Sequence, residues 1–165
     1  SCFWFRLPLV AGQAPIQMQV TESKQDSMSE MPWRFLVVDD VQINRMLLRQ
    51  MLMLERPQAQ ITEAVNGVEA LKIMQTEAFD LVFMDMLMPQ MDGIEASQRI
   101  RADLPEPACH TPILGLTANV NTSDKDRFMT AGANEFLLKP FARKDLMQVT
   151  RRLLVGDKHP PIAPG

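Results

Sequence analysis

Five side chains in this sequence have types and positions that could do chemistry together. Asp39 and Asp40 follow the apolar run Arg34-Phe35-Leu36-Val37-Val38. Asp85 ends Asp80-Leu81-Val82-Phe83-Met84, Thr117 ends Pro112-Ile113-Leu114-Gly115-Leu116, and Lys139 follows Glu135-Phe136-Leu137-Leu138. Clustered carboxylates repel one another unless they protonate or share a cation. An oxygen-only ligand set without His or Cys calls for a hard ion, and Mg²⁺ suits a few carboxylates that leave positions open to water and phosphate oxygens. A carboxylate can also be a nucleophile toward phosphorus, forming an aspartyl phosphate. The charge on a phosphoryl group in transfer then needs a cation and donors, roles open to Mg²⁺, Thr117 and Lys139. Each residue taken alone has a plainer reading: a helix N-cap for the Asp pair, a turn residue for Asp85, a surface hydroxyl for Thr117, a solvated charge for Lys139. Their meeting at one edge reverses those odds and points to phosphoryl transfer onto Asp85.

That meeting depends on the elements between them. After Asp39-Asp40 comes a helical stretch from Val41 to Glu55, then a strand at Gln60–Ala64 and a helix at Gly67–Thr76. The strand ending at Asp85 leads through the loop Met88-Pro89-Gln90-Met91-Asp92-Gly93 to a helix at Ile94–Arg101. The strand ending at Thr117 precedes a helix at Thr122–Thr130 that stops at Gly132, and Lys139-Pro140 precedes a helix from about Ala142 to Leu154. Five strand–helix units in strict alternation predict an α/β fold, a five-stranded parallel sheet doubly wound with helices on both faces. The near-continuous apolar character of the first, third and fourth strands fits burial on both sides. Ligands of such sheets bind beyond the carboxyl ends of the strands, where these polar residues stand.

Composition narrows the function further. The 165 residues carry a net charge of −3 with no basic block, which argues against nucleic acid or an anionic membrane as a direct partner. The histidines, His110 and His159, both sit among prolines, which removes His-based zinc sites and Ser-His-Asp triads. Cys2 and Cys109 make no disulfide framework, so a reducing compartment is expected. No apolar run reaches the length of a membrane span, and Ser1-Cys2-Phe3-Trp4-Phe5-Arg6 lacks a signal-peptide start, so a cytoplasmic domain is expected.

Four blocks, Val-Val-Asp-Asp, Met-Asp-Met-Leu-Met-Pro-Gln-Met-Asp-Gly, Leu-Thr-Ala-Asn and Leu-Lys-Pro, resemble in order and spacing the signature of the two-component receiver domain. The resemblance covers about residues 33–156 and implies the flavodoxin-like strand order 2-1-3-4-5. It implies that Asp85 is the phospho-acceptor and that Mg²⁺ is the cofactor. Asp40, Asp85 and the backbone carbonyl of Leu87 would hold the ion directly, with Asp39 acting through water. Thr117 and Lys139 would bind phosphoryl oxygens, Ala118 would leave the approach clear, and Phe136 would take the place of the switch aromatic. Such a domain catalyses its own phosphorylation and then switches or passes the group on. The implied partners are a histidine-kinase dimerisation domain or a histidine phosphotransfer domain.

Residues 1–11 resemble the closing strand of a histidine-kinase ATP-binding domain. Residues 12–32 then read as a linker and 157–165 as a flexible tail, an arrangement that suggests the receiver of a hybrid sensor kinase, whose other parts a membrane could anchor. On the first helix, Val41, Asn44, Leu47, Leu48, Met51 and Leu52 share one face and are expected to form its core contact. Ile43, Met46 and Met53, with Gln50 among them, then make an outward stripe suited to docking a helical bundle that carries a histidine. Met84, Met86, Met88 and Met91 are expected to crowd and shield the site, Asp92-Gly93 to act as turn and cap, and Cys109 to be incidental. A haloacid-dehalogenase-type phosphatase needs an acid where Leu87 stands. A flavin carrier needs a phosphate cradle where Asp39-Asp40 would repel one. The remaining rival is a receiver that docks partners without being phosphorylated.

Overall fold

The computed structural model describes residues 32–118 and 122–155; the expectations for residues 1–11, the linker to residue 31 and the tail lie outside them. The elements run β1 (Arg34–Val38), α1 (Gln42–Glu55), β2 (Gln60–Ala64), α2 (Gly67–Thr76), β3 (Leu81–Asp85), α3 (Gly93–Asp103), β4 (Ile113–Thr117), α4 (Thr122–Thr130), β5 (Glu135–Leu138) and α5 (Arg143–Val155). All neighbouring strands are parallel, in the order β2-β1-β3-β4-β5. The doubly wound α/β fold and its strand order are therefore as the sequence implies. The proline-rich loop before β4 also holds a short 3₁₀ turn, Ala108–His110, which carries no hydrophobic periodicity to announce it.

Alternation along the strands divides the core between the two faces of the sheet. Leu36, Val38, Val82, Met84 and Ile113 pack against Met74, Ile100 and Phe128 on one side. On the other, Phe35, Val37, Leu81, Phe83, Leu114 and Leu116 pack against Leu48, Leu52 and Leu146. The Phe35 and Phe83 rings meet edge-on with centroids 5.7 Å apart. Every residue of β3 and β4 is buried, which is why those segments read as unbroken apolar runs. Met84, Met86 and Met91 belong to this core instead of standing as a shield over the site, because the strand and its exit loop turn them under α2 and α3.

Caps place the helix starts. Asn66 accepts from the Glu69 N–H at 2.9 Å, and the Glu69 carboxylate takes the Val65 N–H at 2.7 Å. Asp92 accepts from the Glu95 N–H at 2.8 Å, so Asp92-Gly93 caps α3 as read. Helix α1 has no side-chain cap at Val41; the N–H of Val41 goes back to Asp39 Oδ1 at 2.9 Å instead. After α4, Gly132 turns the chain with a φ of +106°, and its carbonyl accepts from Arg101 at 2.7 Å. Arg101 also reaches the carbonyls of Cys109 and Thr111 at 2.8 and 2.9 Å, tying α3 to the approach to β4.

Candidate functional site

The exits of four strands converge at the carboxyl edge of the sheet. One oxygen each from Asp39, Asp40 and Asp85 lie within 4.8 Å of one another. Asp39 and Asp85 are 2% and 8% exposed, while Asp40 is open to solvent. Lys139 Nζ donates to Asp39 Oδ2 at 2.7 Å and stands 3.1 Å from Asp85 Oδ1. Two of the three carboxylates thus share one ammonium, and the cluster carries a formal excess of two negative charges. Burial raises the Asp85 pKa above its ordinary value; the Lys139 ammonium pulls it down, and the Asp39 charge adds to the rise. A further cation at this edge would relieve both the repulsion and the cost of burying the charge. The donor set fits a hard divalent ion: it is all oxygen, and the exposed Asp40 beside Asp85 leaves room for water.

The backbone closes the site from below. The Lys139 N–H bonds the Thr117 carbonyl at 2.7 Å and the Met86 N–H the Leu116 carbonyl at 2.9 Å, so the ends of β3, β4 and β5 are held in register. Thr117 is 5% exposed and lies on β4 beside the β3 strand that ends in Asp85. Leu87 is 68% exposed on the loop after Asp85. The Gly93 N–H bonds the Met86 carbonyl at 3.0 Å, and a Cβ at Gly93 would collide with the Asp85 carbonyl, so only glycine lets α3 start this close to the acceptor. Phe136 is half-buried, with Lys125 Nζ 4.5 Å from its ring centroid.

Helix α1 corrects part of its expected orientation. Leu48 and Leu52 are buried and Asn44 and Met51 half-buried, but Val41 and Leu47 are exposed, at 43% and 49%. Val41 precedes the first helical turn, so the helical period does not turn it inward, and Leu47 lies at the margin of a ridge that is narrow where it meets the sheet. Ile43, Met46 and Gln50 are exposed as the outward stripe requires; Met53 is half-buried, and Leu54 takes its place in the exposed row.

Two residues near the acids carry more than the sequence reading gave them. Asn44 Nδ2 lies 3.2 Å from both Asp39 oxygens. Arg45 Nη1 donates to the Asp39 carbonyl at 2.8 Å while its Nε bonds Glu63 at 3.1 Å. An amide on the otherwise apolar inward face of α1, five residues after an acid, is the available signal: it must find a polar partner.

This topology and edge define a flavodoxin-like domain whose acidic cluster, at a strand-exit crevice, could hold a metal ion. Residues 35–151 match the response regulator receiver domain family, and the chain belongs to it. Among curated proteins it is similar to the autoinducer 2 sensor kinase/phosphatase LuxQ of Vibrio vulnificus, with 32% identity over 146 residues, which is 88% of this chain and 16% of that protein. The chain thus spans about a sixth of the length of this relative. Among solved structures it is similar to the receiver domain of the sensor histidine kinase PA1611 from Pseudomonas aeruginosa PAO1, which has a magnesium ion coordinated in its active-site cleft. That likeness has a TM-score of 0.67 and 30% identity, covering 75% of this chain and 98% of that one. The chemotaxis protein CheY4 of Vibrio cholerae matches with a TM-score of 0.67 and 30% identity over 75% of this chain and 100% of that one.

Proposed function

We propose that this receiver domain takes a phosphoryl group from a phosphohistidine onto Asp85, with Mg²⁺ as cofactor, and switches conformation or passes the group on. The observation that carries the reading is the placement of a buried carboxylate, Asp85, beside an ammonium and two further acids. A phosphoryl group delivered along the open edge meets one Asp85 oxygen. The N–P bond to the histidine breaks as the O–P bond to Asp85 forms, and the departing imidazole nitrogen takes a proton. Asp40, Asp85 and the Leu87 carbonyl would hold the ion directly and Asp39 through water; bound there, the ion would neutralise charge on the phosphoryl oxygens. Lys139 then leaves its bridge between Asp39 and Asp85 for a phosphoryl oxygen, and Thr117 supplies a hydroxyl to another. Phe136 responds as β4 and β5 shift.

The donor or acceptor is a histidine-kinase dimerisation domain or a histidine phosphotransfer domain, docking over Ile43, Met46 and Gln50 at the site's edge, with Met53 behind them. The likeness to a sensor kinase, which this chain matches over 16% of that protein's length, supports a hybrid kinase as the parent protein; on this reading the domain lies in the cytoplasm. No helix among the described residues is long and apolar enough to cross a membrane. Labelling with radioactive acetyl phosphate and Mg²⁺ tests the reading. Acid-stable, base-labile label on the wild type and none on Asp85→Asn is expected. A wild-type chain that takes no label and does not respond to beryllofluoride would instead be a docking module that works unphosphorylated.

A further inference from the structure

Asp39 is held more closely than its two neighbours. Its Oδ1 accepts the Val41 N–H at 2.9 Å, its Oδ2 the Lys139 ammonium at 2.7 Å, and Asn44 Nδ2 sits 3.2 Å from both. Its carbonyl is pinned in turn by Arg45, whose side chain is 11% exposed and braced on Glu63. The acid is gripped at both ends by consecutive residues of α1. Asp40, its neighbour, is exposed, and Asp85 shares its one ammonium with Asp39.

We propose that Asn44 is a positioning residue that sets the choice of cation, by holding the Asp39 carboxylate back from the ion. The proposal rests on the reading of this edge as a Mg²⁺ site. Mg²⁺ is small, demands near-octahedral geometry and keeps several waters, so it suits one or two direct carboxylates; Ca²⁺ takes more oxygen ligands at longer distances in a looser arrangement. A carboxylate whose lone pairs are taken by an amide, a main-chain N–H and an ammonium can accept a hydrogen bond from ion-bound water but cannot easily turn to the ion itself. Lys139 does not do this holding alone, since it also contacts Asp85 and is the cation a phosphoryl group would draw away. Asn44 is uncharged, and its side-chain hydrogen bonds go to Asp39. Its removal releases Asp39 as a third direct carboxylate, which favours the larger ion.

The test is calorimetric titration of the whole chain with MgCl₂ and, separately, CaCl₂, for wild type, Asn44→Leu and Asn44→Ala. The wild type is expected to prefer Mg²⁺. In the variants Mg²⁺ binding should weaken about tenfold, the usual scale for losing a residue that orients a metal ligand. Ca²⁺ binding should hold or strengthen, and the melting temperature in EDTA should stay within a few degrees. A purely structural role would weaken both ions together, so an unchanged ratio of the two dissociation constants in either folded variant overturns the proposal alone. A wild-type chain that binds neither ion overturns the cation reading and this proposal with it.

Discussion

The two edges of the sheet are built from similar residues and reach opposite electrostatic results. At the amino edge, Asp80 accepts the Arg34 N–H at 2.7 Å, Arg34 pairs with Glu77 at 3.0 Å, and its guanidinium lies 5.6 Å from the centre of the Phe79 ring. Each acid there has its own donor, and the pair is open to water, which screens it. At the carboxyl edge the buried Asp39 and Asp85 compete for one ammonium, with Asp40 beside them. Acids whose charges are met locally are scaffold; acids left in excess, partly buried, could hold a cation. The contrast locates the site without reference to any relative.

Exchanging a carboxylate for an amide at each edge gives the sharpest separation. Asp85→Asn should lose all acetyl-phosphate label, whereas Asp80→Asn should label like wild type and lose only about 1 kcal/mol of stability for a weakened hydrogen bond, read by urea unfolding. Loss of label in both would erase the distinction. Next in size is a charge on the exposed row of α1. Ile43→Asp or Met46→Glu should slow transfer to or from a histidine-bearing partner about tenfold, some 1.4 kcal/mol, with acetyl-phosphate labelling intact. Equal transfer rates at subsaturating partner would remove this helix from the docking surface.

Lys139→Ala should still accept the phosphoryl group, because the ammonium does not form the bond. It should, however, lose at least half of the NMR shift change near Phe136 on adding beryllofluoride; a full response would place the coupling elsewhere. The smallest effect is thermal. Because burial raises the Asp85 pKa in the folded state, its ionised form costs stability at neutral pH, and that cost is absent where the group is protonated both folded and unfolded. Asp85→Asn should therefore melt higher than wild type at pH 7. The gap should close as pH falls through the raised folded value toward the ordinary 3.8, and a gap unchanged at low pH would deny its electrostatic origin.

Strand exits were the most legible part of the chain. Short apolar runs ending in Asp39, Asp85, Thr117 and Lys139 carry their own boundaries, and β1, β2 and β5 begin and end at the residues the pattern indicates. Periodicity is less informative on α1, where it gives a direction but not the width of the buried ridge; it points Val41 and Leu47 inward, and both stand exposed. Asn44 read as a core position because spacing alone cannot show that Asp39 lies beside it. Gly93 read as part of a turn because close approach to the Asp85 carbonyl is a fact of tertiary packing.

The ion pair between Asp39 and Lys139 joins residues 100 positions apart in the chain. Contacts of such sequence separation form late, since the entropy of closing the intervening chain opposes them until the rest of the sheet has assembled. A nascent or partly folded chain would carry Asp39, Asp40 and Asp85 but not the lysine that completes the site from β5. A response routed through Lys139 would therefore double as a certificate of complete folding, because a half-made domain has no β5 through which to relay what happens at its acids.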